Sequence, residues 1–393
     1  MNDKFLNELN LIEPILRAIR DEGFKDPTPI QQKAIPLLLA GHDLMGCAQT
    51  GSGKTAAFTL PILQALAKNQ KNPIPRSARA LILAPTRELA GQISSSFESF
   101  GKYLHLRYAV VYGGMSKHNQ IAKLSRGTDI LVATPGRLLD LMGEGSVLLQ
   151  RVEIMVLDEA DRMLDMGFIP DIKKIIAALP PRRQTMFFSA TLNRDIMPLA
   201  ESMLNNPQRI EIAASNRTVP QIEQKLLFVD RENKKALLLD LLAKREISRA
   251  LVFTRTKHKA QNLSKQLTRS RVKADALHGD KTQAARQRAL GSFHDGYIQV
   301  LVATDIAARG IDVSDIDHVI NYDLPNEPET YIHRIGRTAR AGKRGTALSF
   351  CDASEVGYLS QIERMLKQPL SVMEAQPYHS QAVAASRLSR VRL

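Results

Sequence analysis

Two stretches of this chain are written nearly twice. Arg79-Ala-Leu-Ile-Leu-Ala-Pro-Thr86 is echoed by Arg249-Ala-Leu-Val-Phe-Thr-Arg-Thr256, and Ile130-Leu-Val-Ala-Thr-Pro135 by Val300-Leu-Val-Ala-Thr-Asp305. Between each pair stands a glycine-bearing strand end, Tyr112-Gly-Gly114 in one half and Leu277-His-Gly279 in the other. The echoed runs are short, almost wholly apolar, and closed by small or turn-forming residues. A run that is apolar on every residue, rather than on every second one, suits a parallel strand buried on both faces by helical crossovers. Tyr108-Ala-Val-Val111, Ile154-Met-Val-Leu157 and Thr185-Met-Phe-Phe188 read the same way. The echo predicts one α/β unit used twice. A chain of 393 residues also exceeds what a single core usually organises. The predicted domains are residues 1–210 and 221–368, joined by a short linker at 211–220. Asn206-Pro207 and the stretch Ala213–Pro220 interrupt the periodic pattern there. Residues 369–393 lack clear periodicity, end on Arg387, Arg390 and Arg392, and read as a short flexible basic tail.

The sharpest chemical signal is Ala48-Gln-Thr-Gly-Ser-Gly-Lys-Thr55, between the apolar segment Asp43-Leu-Met-Gly-Cys47 and a helical-looking Ala56-Ala-Phe-Thr-Leu60. Glycines in such a loop let the backbone curl so that successive N–H groups face a phosphate at a helix N-terminus. Lys54 would reach the β- and γ-phosphates, and Thr55 would offer its hydroxyl to Mg²⁺. Ala48 departs from the strict pattern, which has glycine first. Asp158-Glu-Ala-Asp161 follows the strand Ile154–Leu157, so Asp158 is expected to hold Mg²⁺ and Glu159 to orient or deprotonate the attacking water. The second half has no such loop; it ends instead in His333-Arg-Ile-Gly-Arg-Thr-Ala-Arg340. Arginines three apart on one helical face could aim two guanidinium forks at a phosphate chain. One loop and one arginine strip predict a single ATP site closed by both domains.

The net charge of +14 is shared by both halves and favours a polyanionic partner. Nothing argues for export or a membrane: residues 1–30 contain Asp3, Glu8, Glu13, Asp21 and Glu22 with no unbroken apolar core of a leader, and no apolar run reaches membrane-spanning length. Cys47 and Cys351 have no metal spacing and read as buried thiols of a cytoplasmic protein.

These strings, in this order and spacing over about residues 5–365, resemble a DEAD-box ATP-dependent RNA helicase, and most nearly the bacterial RhlE type. The resemblance implies tandem RecA-like domains. It adds Phe24 and Gln31, from Gly23-Phe24 and Pro27-Thr-Pro-Ile-Gln31, as the pair that stacks on and reads adenine. Ala48, Gln49, Thr50, Gly51, Ser52 and Gly53 would then cradle the phosphates with Lys54 and Thr55. Asp312 would reach the ribose, and Arg337 and Arg340 would be the arginine fingers; Ala339 stands where the family usually has glycine. Pro85, Thr86, Arg87, Gly113, Gly114, Thr134, Pro135, Gly136 and Arg137 match RNA-backbone contacts of the first domain. Arg255, Arg286 and Thr304 match those of the second. Ser189, Ala190, Thr191 and His333 match positions coupling hydrolysis to closure. The implied activity is an RNA-dependent ATPase that remodels RNA duplexes and RNA–protein complexes by ATP-driven closure of two domains. Its cofactors would be ATP and Mg²⁺, and its partner single-stranded or short duplex RNA, with ribosomal or messenger complexes as candidates. A DNA helicase and an ATP-gated clamp on RNA share most of these residues.

Overall fold

A computed structural model describes residues 10–23, 26–48, 51–192, 194–212, 222–243, 247–308, 316–339 and 345–391. The chain divides into two compact units, residues 1–214 and 215–393. In the first, the strands are β1 Leu44–Cys47, β2 Ala80–Leu83, β3 Tyr108–Val111, β4 Ile130–Ala133, β5 Ile154–Leu157, β6 Gln184–Ser189 and β7 Gln208–Glu211. Helices α1 Glu13–Asp21 and α2 Pro29–Leu39 precede β1. Helices α3 Lys54–Lys68, α4 Arg87–Phe100, α5 Lys117–Leu124, α6 Pro135–Gly143, α7 Ala160–Asp165, α8 Ile169–Ala177 and α9 Met197–Met203 connect the strands. All neighbours are parallel, in the order β3-β4-β2-β5-β6-β1-β7.

The apolar runs follow from that layering. Ala80 and Ile82 of β2 sit in one core and Leu81 and Leu83 in the core on the opposite face, and β4 and β5 divide in the same way. Each fully buried aliphatic side chain contributes about 1.5–3 kcal/mol, so neither face of a central strand has reason to carry a polar residue.

The second unit contains β8 Ile222–Phe228, β9 Ala250–Phe253, β10 Ala274–Leu277, β11 Val300–Ala303, β12 His318–Asn321, β13 Gly345–Cys351 and β14 Ser371–Val372. Its helices are α10 Lys234–Ala243, α11 Lys257–Arg269, α12 Gln283–His294, α13 Asp305–Ala308, α14 Pro328–Ile335, α15 Val356–Leu366 and α16 Gln381–Val391. The sheet runs β10-β11-β9-β12-β13-β8-β14, which is the first sheet's order with every label raised by seven. The echoed strings even meet in the same register: Ala80 lies opposite Ile130, and Ala250 opposite Val300. Duplication is therefore a property of the topology as well as of the text.

The stretch from Pro369, expected as a flexible tail, is built into the second unit instead. Strand β14 takes the place that β7 holds in the first sheet, pairing with β8 at Lys225 and Leu226. Val383 of α16 is buried, and Arg387 pairs with Glu363 with its guanidinium over the Phe228 ring. No apolar run announces β14 because it is an edge strand of two residues, one exposed and one half-buried. Strand β7 likewise ends at Glu211, inside the stretch expected as linker, and buries only Ile210; residues 213–221 lie outside the described ones. Both cysteines are free, but Cys47 is half-buried rather than buried. Among the described residues no helix is long and apolar enough to cross a membrane.

Candidate functional site

Parallel sheets gather functional loops at the C-terminal ends of their strands. In the first unit those ends form two adjoining groups. Neighbours β5, β6 and β1 end at Asp158–Asp161, at Ser189–Thr191 and at the phosphate loop. Neighbours β3, β4 and β2 end at Gly113-Gly114, at Thr134–Arg137 and at Pro85–Arg87.

The loop leaves β1 with the Ala48 N–H donating to Ser189 O at 3.0 Å. Ala48 is not among the residues with positive φ, so the departure from glycine costs no strain there. Gly53, the N-cap of α3, cannot be replaced so easily. Its φ is +92°, and a Cβ would lie 2.5 Å from Gln31 Nε2 and 2.8 Å from Thr28 Oγ1. Lys54 opens α3, is buried, and donates from Nζ to Ala48 O at 2.8 Å. Thr55 and Gly51 flank it, one half-buried and one exposed. Ser52 Oγ is buried with no hydrogen-bond partner. A helix N-terminus, a buried ammonium and an orphaned hydroxyl together suit a phosphate.

Gln31 lies on the same loop. As the third residue of α2 it accepts the Thr28 N–H at 2.8 Å and donates to Gly53 O at 3.0 Å. It is 1% exposed. The amide expected to read adenine is thus partly engaged by the loop backbone, with one N–H and one acceptor position left over.

Asp158 is buried beside Lys54. Burial pushes its carboxyl up to about 6; the Lys54 charge opposes the rise, and Glu159 and Asp161 add to it. Glu159 has φ +52°, a left-handed conformation costing about 1–2 kcal/mol in a residue with a side chain. Its Oε2 meets Arg162 Nη1 at 2.7 Å, with both side chains buried. Asp161 turns the other way. Its Oδ2 accepts the N–H groups of Ala190 and Thr191 at 3.1 and 3.0 Å and the Thr191 hydroxyl at 3.1 Å. Ser189 Oγ donates to Thr191 O at 2.6 Å. The acidic tetrad therefore has two jobs. Asp158 lies beside Lys54 of the loop and Glu159 is held by Arg162, while Asp161 ties the end of β5 to the end of β6. Sequence reading assigned nothing to Asp161 or Arg162; a carboxylate and an arginine one helical turn from the expected base were the available signal.

Among the described residues no three His, Cys, Asp or Glu side chains form a metal cage. The groups present that could hold an oxygen-seeking cation are the Thr55 hydroxyl, at the start of α3, and the buried Asp158 carboxylate, the hard donors that Mg²⁺ takes alongside phosphate oxygens and water.

The second group also converges. Thr86 caps α4 by accepting the Leu89 N–H at 3.3 Å, which sets Arg87 in the first turn. A Cβ on Gly114 would stand 2.2 Å from Arg87 Nη1, and one on Gly113 3.2 Å from Nη2. The guanidinium therefore lies directly on the glycine pair. Gly114 has φ +82°, a second reason for glycine. Thr134 and Pro135 start α6, Gly136 is exposed, and Arg137 donates from Nη1 to Met115 O at 3.4 Å, just past the glycines. Pro85 is buried at the end of β2. Three strings far apart in sequence form one surface.

In the second unit Arg255 follows β9, Thr304 follows β11, and Arg286 lies on α12, which Thr282 caps. The expected helical face of arginines does not form. Helix α14 stops at Ile335 with Gly336 as its cap, and Arg337 lies in the turn beyond. There Arg337 is buried and donates from Nε to His333 O at 3.3 Å, while His333 itself is exposed. Arg334, the first of the spaced arginines, is 1% exposed and grips Asp305 with two bonds of 2.6 and 2.7 Å. It also bonds Asn321 Oδ1 and Asp323 O, so it is a structural clamp rather than an available fork. Ala339 has φ +57°, which explains why glycine is usual at that position. Phe24, Gln49, Thr50, Asp312 and Arg340 lie outside the described residues.

A phosphate loop opening a helix, with a buried carboxylate at the end of a strand one removed in the same parallel sheet, defines a RecA-like nucleoside triphosphatase. The duplicated sheet narrows that class to the tandem-domain form. Residues 28–199 match the DEAD/DEAH box helicase family and residues 233–342 the helicase conserved C-terminal domain. The DEAD-box ATP-dependent RNA helicase CshA of Geobacillus kaustophilus is 44% identical over 93% of this chain and 78% of its own length. The ATP-dependent rRNA helicase rrp3 of Aspergillus fumigatus is 45% identical over 94% of this chain and 78% of its own. Among solved structures, S. cerevisiae Dbp5 bound to RNA and ADP BeF3 is similar with a TM-score of 0.82 and 33% identity. That match covers 93% of this chain and 95% of Dbp5. The chain belongs to the DEAD-box ATP-dependent RNA helicases, enzymes that hydrolyse ATP. The bacterial relative carries the name CshA, and these matches give no support to the RhlE type.

Proposed function

We propose that this helicase binds ATP with Mg²⁺ on its first unit and that RNA-stimulated turnover requires arginines of its second. The observation that supports this most directly is the division of one sheet edge. Its β5, β6 and β1 ends hold the nucleotide residues, and its β3, β4 and β2 ends hold those proposed for RNA. Phe24 and Gln31 receive adenine, Ala48 to Thr55 the phosphates, and Asp312 the ribose. Thr55 and Asp158 hold Mg²⁺, which neutralises charge on the phosphates. Glu159 takes the proton of the attacking water. RNA lies along Pro85–Arg87, Gly113-Gly114 and Thr134–Arg137 of one unit and Arg255, Arg286 and Thr304 of the other. These are threonines, glycines and arginines suited to backbone rather than base edges. Closure of the two units brings Arg337 and Arg340 to the γ-phosphate, and Ser189, Ala190, Thr191 and His333 couple that step to the grip on RNA. The outcome is local remodelling of short duplexes or RNA–protein complexes, with ribosomal and messenger complexes of the cytoplasm as the expected targets.

The test separates binding from chemistry. Lys54→Ala removes a charge from the loop and weakens ATP binding itself. Arg337→Ala leaves ATP binding nearly unchanged and lowers RNA-stimulated turnover by about 10³–10⁵, as losses of arginine fingers do. Stimulated turnover by Arg337→Ala within about tenfold of the parent would refute the shared site.

A further inference from the structure

The second unit has no phosphate loop, yet it keeps a lysine where the first unit has Lys54. Lys54 opens the helix that follows β1, and Lys234 opens the helix that follows β8, the strand in the same position of an identically ordered sheet. What surrounds the two ammonium groups differs. Lys54 reaches a loop carbonyl beside Asp158. Lys234, with 0% of its side chain exposed, meets Glu355 Oε2 at 2.5 Å, Asp352 Oδ2 at 2.9 Å and Asp323 Oδ1 at 3.7 Å. Asp323 and Asp352 stand just past β12 and β13, the counterparts of β5 and β6. The second repeat has filled its phosphate position with its own carboxylates.

Three carboxylates around one ammonium leave surplus negative charge, and two more cations answer it. Lys259 pairs with Asp323, and Arg255 pairs through Nη2 with Glu355 Oε1. Arg255 is held at further points: its N–H by Asp323 Oδ2 at 3.0 Å, its Nε by Leu324 O at 3.2 Å, and its guanidinium 5.1 Å from the Tyr358 ring centroid. Glu355 is itself fixed, since Oε1 also accepts the Leu324 N–H at 3.1 Å and Oε2 the Asp352 N–H at 3.3 Å. One edge of the guanidinium, Nε and Nη2, is thereby committed to protein. Nη1 carries no hydrogen bond among the described residues, and the side chain keeps 31% of its exposure. A planar fork gripped along one edge has the other edge ready for a phosphate.

We propose that Glu355, locked in place by Lys234, is a positioning residue that holds Arg255 in the orientation needed to meet an RNA phosphate. The inference rests on the reading of Arg255 as an RNA contact. The six charges of the cluster balance, so Arg255 acts through fixed geometry more than through net field.

Glu355→Asp keeps every charge but shortens the reach, so the grip on Arg255 is lost. The ordering cost then falls on RNA binding, and the RNA concentration for half-maximal ATPase stimulation rises about three- to tenfold. The rate at saturating RNA stays within about twofold. Glu355→Gln, which retains length and the Oε1 acceptor, shifts that midpoint by a smaller amount and serves as the second variant if the aspartate form does not fold. Both shifts disappear in an Arg255→Ala background, because the residue through which Glu355 acts is gone. If Arg255→Ala raises the midpoint and neither Glu355 variant does, the positioning role is refuted while the RNA contact stands. A Glu355 shift that persists without Arg255, or a fall in the saturated rate, identifies a merely structural role and overturns the proposal. If Arg255→Ala leaves the midpoint unchanged, the RNA contact fails and the inference falls with it.

Discussion

Glu159→Gln should separate chemistry from architecture, and the structure sets the size of each effect. The carboxylate makes a buried, charge-assisted bond of 2.7 Å to Arg162 Nη1. Glutamine keeps the oxygen and loses the charge. Arg162 keeps its charge, so the bond moves from the upper to the lower end of the range of about 1.5–3 kcal/mol for a charged partner, a loss of about 1–1.5 kcal/mol. In a domain of this size each kcal/mol moves Tm by about 2–4 °C, so the melting point should fall by about 2–6 °C. The chemical effect is larger. Losing a general base costs about 10²–10⁴ in rate, or about 3–5 kcal/mol of barrier. The variant therefore stays folded at room temperature, binds ATP and RNA, and scarcely turns over. Phosphate release at saturating RNA, fluorescence titration of nucleotide and thermal melting read the three quantities independently. Hydrolysis within a few-fold of the parent would refute Glu159 as the base. Loss of nucleotide binding along with turnover would show that it is part of the binding surface instead.

Two more perturbations follow from the geometry. Gly114→Ala puts a methyl group on the Arg87 guanidinium at a left-handed position, so RNA affinity should fall about tenfold while nucleotide affinity without RNA holds. An unchanged RNA affinity in a binding titration would separate Arg87 from the RNA surface. The second concerns pH. With its carboxyl raised to about 6, Asp158 is protonated in the empty protein below that pH, whereas Mg²⁺ requires it charged. Affinity for Mg-ATP should fall by up to about tenfold per unit below pH 6, with proton release on binding near that value. The sign for stability is opposite: a raised carboxyl favours the folded state at low pH and withdraws that help as pH climbs from 3.8 towards about 6. Titration calorimetry in two buffers of different ionisation enthalpy measures the released proton, and a flat affinity across the window would contradict the assignment.

Central strands were legible because burial on both faces forces an unbroken apolar run, as in Ala80–Leu83 and Ile130–Ala133. Two edge strands were not: Gln208–Glu211 and Ser371–Val372 satisfy only one neighbour and carry ordinary polar residues, whereas Tyr108–Val111, also at an edge, is apolar throughout and could be read. Lys54, Asp158 and Glu159 could be singled out as candidates because phosphate chemistry restricts residue type and spacing, and the fold brings Lys54 close to Asp158. Arg334 and Arg337 show where spacing misleads. They are three apart, but a glycine ends the helix between them, and one becomes a buried clamp while the other sits in a turn. The Lys234 cluster was invisible, since Asp323, Asp352 and Glu355 meet it only through tertiary folding.

The late arrival of β14 changes where this molecule can be cut. Residues 371–380 lie along β8, with Met373 N–H bonded to Leu226 O, Ser380 N–H to Phe228 O, and an antiparallel bridge between Val229 and His379. The match to the helicase C-terminal domain stops at residue 342, before β13 and well before this cover. A chain ended near 368 would expose the edge of β8, a seven-residue strand with Leu226, Leu227 and Phe228 in its core. Unpaired edges of that length and composition are templates on which another molecule adds a strand. The boundary of the recognisable sequence pattern and the boundary of what stays soluble are therefore different positions in this chain.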